Sequence, residues 1–145
     1  MIFISHRGNL NGKKKESENK PAYIKDAIKK GFNVEIDVWY TDGFYLGHDK
    51  PEFKVSRKFL ENKNLWCHAK NLKALEKLQK IKTKYFWHQD DDYTLTSNGY
   101  IWTYPGKTLS KRSISVLPEL KKTKLSKSIS GICSDFIEKY KKQYD

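Results

Sequence analysis

Asn33-Val34-Glu35-Ile36-Asp37-Val38-Trp39-Tyr40-Thr41-Asp42-Gly43-Phe44-Tyr45-Leu46 is the stretch on which the fold turns. Residues 33–41 alternate strictly. Val34, Ile36 and Val38 fall on one face of a strand, and Glu35, Asp37 and Trp39 on the other. Asp42-Gly43 is a tight-turn signal, and Phe44-Tyr45-Leu46 continues as a returning strand. If the branched face packs against helices, both carboxylates point inward. Two inward carboxylates two residues apart repel unless a cation or a base lies between them, and a hard divalent ion answers that need. The alternative is a pair of exposed carboxylates on a solvated face, which Trp39 on the same face disfavours.

Working outward, Ile2 to Ser5 reads as a short apolar strand, followed by a polar, glycine-containing loop from Asn9 to Lys20. Pro21 to Lys30 has helical spacing, with Pro21 suited to the first turn and Gly31 as a stop. Leu65 to Ala69 is a further strand. Leu72 to Ile81 is a helix with Leu72, Leu75, Leu78 and Ile81 on one stripe. Tyr85 to His88, Tyr100 to Tyr104, Ile114 to Leu117 and Gly131 to Cys133 read as short strands, and Phe136 to Tyr144 as a closing basic helix. Strands alternating with helices predict a mostly parallel sheet, and their number predicts closure. A full barrel of eight strand–helix units takes about 250 residues, and this chain has 145. The expected fold is therefore α/β: a single domain, 1–145, forming a reduced TIM-like (β/α) barrel with short or missing helices.

Composition bounds the partners. The net charge of +12 favours anionic ones: phosphate esters, nucleic acid or an anionic membrane surface. Lysines spread along the chain would also give this charge on an ordinary solvated surface. Hydrophobic residues make up only 37%, so the 14% that are aromatic must fill much of the core. Cys67 and Cys133 match no zinc spacing and read as buried small residues in a reducing compartment. No apolar stretch is long enough to span a bilayer. The start, Met1-Ile2-Phe3-Ile4, runs straight into polar residues with no signal-peptide pattern, so the expected location is cytoplasmic. A shortened barrel is expected to leave apolar surface that a second copy could cover, giving a homo-oligomer.

In a parallel barrel, chemistry gathers where strands end. His6 and Arg7 follow the first strand. Arg7 is a planar, bidentate phosphate ligand, and Gly8 allows close backbone approach. His48 lies beside Gly47 and Asp49. Two histidines flanking a phosphoryl group can divide the proton transfers, one taking the nucleophile's proton and the other protonating the leaving alkoxide. His88 heads the run His88-Gln89-Asp90-Asp91-Asp92 after a strand and could face the same mouth. Trp102 is either a flat wall for a substrate or a core residue. Glu119 and Asp135 end late strands and could orient a catalytic histidine.

These motifs, in this order, resemble the glycerophosphodiester phosphodiesterase family among the phospholipase C-like phosphodiesterase barrels. The family's H-R-G, P-E-N, E-x-D, D-G and H-D signatures are matched by His6-Arg7-Gly8, Glu18-Asn19, Glu35-Ile36-Asp37, Asp42-Gly43 and His48-Asp49. The match covers residues 1–49. Beyond it, His68-Ala69-Lys70 stands where the family has E-x-K. Ile101-Trp102-Thr103 resembles its W-T strand, and Gly131-Ile132-Cys133-Ser134-Asp135 resembles its terminal G-I-x-T-D. The family's large insertion after H-D is missing. The resemblance implies His6 and His48 as acid and base, Arg7 and Lys70 as phosphate ligands, and Glu35 and Asp37 as metal ligands.

His68 replaces a glutamate ligand. It lowers the charge of the site and suits a transition metal better than calcium; its other reading is structural. The ion would be magnesium, calcium, manganese or zinc. The implied activity is metal-dependent hydrolysis of glycerophosphodiesters or similar small phosphodiesters, often through a cyclic phosphate. The competing reading is a non-catalytic module on a degenerate barrel that binds phosphate, nucleic acid or a membrane surface. No nucleic-acid motif is present, so nucleic acid is not the expected partner.

Overall fold

The computed structural model describes residues 1–145. Ten strands form one sheet: β1 (Ile2–His6), β2 (Asn33–Tyr40), β3 (Phe44–Leu46), β4 (Phe53–Val55), β5 (Leu65–Ala69), β6 (Lys84–Trp87), β7 (Tyr93–Leu95), β8 (Ile101–Thr103), β9 (Ser113–Val116) and β10 (Gly131–Ser134). The helices are α1 (Pro21–Lys29), α2 (Arg57–Leu60), α3 (Leu72–Leu78) and α4 (Ile137–Tyr144), with a 3₁₀ turn at Pro118–Leu120. None is long and apolar enough to cross a membrane.

The parallel pairs run β6-β5-β2-β1-β10-β9-β8. Antiparallel strands are added at β2 by β3 and β4 and at β8 by β7. The sheet curls until β6 meets the β7–β8 hairpin. There Ser97 donates its N–H to the Tyr85 carbonyl at 2.9 Å, and Thr94 Oγ1 donates to the Trp87 carbonyl at 2.8 Å. No β-ladder joins the two edges.

The expected TIM-like (β/α) barrel is thus not what this chain forms. The sheet is mixed and dominates the molecule, and the helices have only four to nine residues. The crossover from β8 to β9 contains no helix, and that from β9 to β10 only the 3₁₀ turn. Connection length is the physical reason between β8 and β9, where nine residues fall short of the dozen or so that a helical crossover takes.

Most strands lie where the alternation places them, within a residue or two. The β4 strand, α2, β7 and the 3₁₀ turn went unforeseen; each is three or four residues long. The α3 helix is shorter than expected, and its stripe is rotated. Leu72 is 66% exposed, while Ala74 and Leu78 are buried. Asn71 explains the start, because its side chain accepts from the Ala74 N–H and also bonds both backbone groups of Tyr40.

Two cores result. Outside the curl, Val34, Ile36 and Val38 pack with Ile24 and Ala27 of α1 and Ala74 and Leu78 of α3. Inside it, Ile4, Trp66, Phe86, Trp102, Ile114, Val116 and Cys133 form a plug, with Phe86 and Trp102 ring centroids 4.5 Å apart. Large rings do the filling, as the composition requires. The branched face of β2 faces helices, so Glu35 and Asp37 point into the curl, at the end where the parallel strands finish.

Candidate active site

Ladder register assembles the site. His6 on β1 lies beside Glu35 on β2, and Asp37 lies beside His68 on β5. All four side chains project inward. A cavity of about 490 Å³ opens above the aromatic plug, and His6, Arg7, Glu35, His48, His68 and Lys70 all line it. His88, Trp102 and Asp135 also reach it. Trp102 is 4% exposed and packs on Phe86, so it is mainly a core residue that shows one edge to the cavity.

Glu35, Asp37 and His68 offer ligand atoms that all lie within 4.8 Å of one another. His68 Nε2 is 2.8 Å from the His88 carbonyl, and a carbonyl only accepts, so Nε2 carries the proton. In the neutral ring this leaves Nδ1 as an acceptor, whereas in the imidazolium Nδ1 donates as well. It faces Asp37 Oδ1 at 3.3 Å and Glu35 Oε1 at 3.7 Å. Stacking on Phe86, with centroids 5.1 Å apart, fixes the ring plane. Asp37 Oδ1 and Glu35 Oε2 are buried without a hydrogen-bond partner. With the ring neutral, Nδ1 and these carboxylate oxygens converge as acceptors, an arrangement that fits a cation. A histidine that donates its far N–H to a backbone carbonyl is also the usual outer support of a metal ligand.

The two carboxyls titrate apart. Burial and the Asp37 charge raise the Glu35 pKa. Burial acts the same way on Asp37, but the hydrogen bond and charge of a protonated His68, with Arg7 and Lys70, outweigh it and hold Asp37 well below the usual carboxylate range. Arg7 Nε lies 2.8 Å from Asp37 Oδ2, and Lys70 Nζ 3.8 Å from Asp37 Oδ1.

His6 is held from the opposite side. Its Nδ1 donates to Asp135 Oδ1 at 2.7 Å, leaving Nε2 toward Glu35 Oε2 at 3.9 Å. Burial works against charge on this ring, yet the Asp135 hydrogen bond and the Glu35 charge raise its pKa above 6.5. Asp135 is fixed in turn, since its N–H donates to Glu119 Oε1 at 3.1 Å. Glu119 also accepts from Ser134 Oγ at 2.9 Å. Asp135 and Glu119 therefore form a chain of support behind His6. His48 differs: it sits at the cavity rim, its side chain 46% exposed, with Nδ1 2.7 Å from the exposed Asp49. His88 contributes its carbonyl to His68, while its ring lies 5.7 Å from Tyr104. Burial and the neighbouring His68 lower the His88 pKa, despite Asp91 and Asp90.

Three polar residues matter beyond those expected to do chemistry. Asn9 Nδ2 donates to both Glu18 Oε1 at 2.8 Å and Asp135 Oδ1 at 2.9 Å. Glu18 Oε2 pairs with Arg7 Nη1 at 3.3 Å. Asn19 donates to Asp37 Oδ2 at 2.9 Å and accepts from the Asp37 N–H at 3.0 Å. Glu18-Asn19 carried a motif signal, but Asn9 had none, being one polar residue in a polar loop. Arg7 and Asn19 hold left-handed backbone, with φ of 55° and 62°. Strain of this kind costs about 1–3 kcal/mol per residue and gathers at functional sites.

No family model, curated protein or solved structure matches this chain.

Proposed function

We propose that this protein is a metal-dependent phosphodiesterase acting on small phosphodiesters. The observation that carries this reading is the convergence of Glu35, Asp37 and His68 Nδ1, with Asp37 Oδ1 and Glu35 Oε2 unpartnered, at a cavity lined by Glu35, His68, His6, His48, Arg7 and Lys70. The motif order over residues 1–49 supports a relation to the glycerophosphodiester phosphodiesterase family.

Glu35, Asp37 and His68 would hold a divalent ion, which supplies charge neutralisation at the phosphoryl oxygens when bound. Arg7 and Lys70 bind the same oxygens. Arg7 is steered by Asp37 and Glu18, so its guanidinium is set before the substrate arrives. His6, its Nδ1 proton committed to Asp135, presents Nε2 to the cavity. His48 presents its ring from the rim. One removes the proton of the attacking hydroxyl or water, and the other protonates the departing alkoxide. The buried free thiols Cys67 and Cys133 are in keeping with a reducing, cytoplasmic setting.

Turnover of bis-p-nitrophenyl phosphate with magnesium, manganese, calcium or zinc, with and without EDTA, tests this reading. Metal-dependent turnover that drops about 10²-fold or more in His6→Ala is expected. Full turnover in that variant, or none with any of the four ions, would refute it. Phosphate-ester binding without turnover would favour a non-catalytic phosphate binder instead.

A further inference from the structure

The cavity has two chemically distinct halves. One carries the charged groups already described. The other is walled by Tyr104, Pro105, Val116, Leu117 and Leu120, with the edge of Trp102 at its floor. Tyr104 and Leu120 are 48% and 65% exposed and stand at the lip of the cavity. They come from two separate loops. Gly106 N–H donates to Thr123 Oγ1 at 3.2 Å, and Thr123 N–H to the Pro118 carbonyl at 3.0 Å, so the loops form one rim.

Leu117 holds a left-handed backbone, with φ of 42° and ψ of 53°. A leucine tolerates that conformation only when its surroundings enforce it. Here the Leu117 N–H donates to the Cys133 carbonyl at 2.7 Å, and Leu117 lines the wall. Nothing in the phosphoryl chemistry uses this wall. A small polar alcohol such as glycerol would leave it wet.

We propose that this wall is a subsite for an apolar ester group. The substrate is a phosphodiester with one polar or small alcohol and one bulky apolar alcohol, aryl or acyl-bearing, lying against Tyr104, Leu117 and Leu120. The inference rests on the phosphodiesterase reading of the charged half. It narrows the substrate class away from fully polar glycerophosphodiesters.

The test uses methylphosphinates, which carry the single negative charge but no ester bond to cut. Hexyl(methyl)phosphinate, benzyl(methyl)phosphinate and 2,3-dihydroxypropyl(methyl)phosphinate are titrated calorimetrically into the full chain with magnesium. One or both apolar probes should bind at least about tenfold tighter than the dihydroxypropyl probe, from burial of a few methylenes or a ring. Preference for the hexyl probe points to acyl-bearing esters, and preference for the benzyl probe to aryl esters. The double variant Leu120→Ser/Tyr104→Ser should erase the preference while binding of the dihydroxypropyl probe stays within about threefold. Equal binding of all three probes, tighter binding of the polar probe, or a preference that survives the double variant overturns the subsite and leaves the phosphodiesterase reading standing. Failure of all three to bind overturns both.

Discussion

Among single residues, two histidines of the site are each held by a fixed partner: Asp135 on His6 and the His88 carbonyl on His68. His6 is bounded by Asp135 on Nδ1 and Glu35 beyond Nε2. Its pKa is raised, so its imidazolium stabilises the fold. That contribution is whole below the unfolded value near 6.5 and is lost as pH rises through the folded value. Asp135 is shifted the other way: despite burial, its bond to His6 lowers it, so its contribution persists above 3.8 and is lost as pH falls through its folded value. In EDTA, the difference in melting temperature between wild type and Asp135→Asn is therefore expected to be largest between those limits and to shrink on the alkaline side. Melts from pH 5 to 9 read this directly, and a difference that stays flat or grows with pH would refute the pairing. The same variant is expected to lose about 10- to 100-fold in kcat with KM nearly unchanged, since Asp135 positions His6 and does not touch phosphate.

The cysteines give a second check at this scale. Cys67 and Cys133 are both fully buried, and burial pushes the Cys67 thiol up to about 12. Neither is expected to react with a thiol reagent in native protein, while both react in denaturant. Rapid native labelling would mean that the inner core opens.

At the scale of elements, strand β2 explains most of what the sequence could tell. Its alternation assigned Val34, Ile36 and Val38 to the helix-packed face and Glu35 and Asp37 to the interior, and the structure has both. Alternation is legible because each face meets a different environment over several residues. The β4, α2 and β7 segments are mostly half-buried or exposed, so no buried apolar run marks them, unlike the equally short β9 and β10, which are buried throughout. Asn9 was illegible for a different reason: its value lies in partners 9 and 126 residues away. Ile36 is fully buried at the centre of β2, and Ile36→Ala is expected to cost about 2–5 kcal/mol. Gly131 starts β10 opposite Ile2, where an added Cβ would lie 2.6 Å from the Ile2 carbonyl oxygen. Gly131→Ala is expected to cost about 1–3 kcal/mol through a forced shift of the β1–β10 pair. Urea midpoints measure both, and a change below about 0.5 kcal/mol in either would contradict the packing described.

At the scale of the whole molecule, a curled mixed sheet takes the place of a helix-wrapped barrel and still delivers strand ends to one mouth. The parallel strands β1, β2, β5, β6, β8, β9 and β10 bring His6, Asp37, His68, His88, Tyr104, Leu117 and Asp135 to the same end. Closure was overestimated from the sequence because strand count does not tell whether the edges share a ladder. Here side-chain and loop hydrogen bonds join them instead.

Binding of a divalent ion by Glu35, Asp37 and His68 is read by calorimetric titration of metal-free protein with magnesium, manganese, calcium and zinc. One saturable site per chain is expected for at least one ion, weakened about tenfold or more by Glu35→Gln and by His68→Ala in variants that remain folded by circular dichroism. No saturable site for any of the four ions, or a site that both variants leave unchanged, would contradict it.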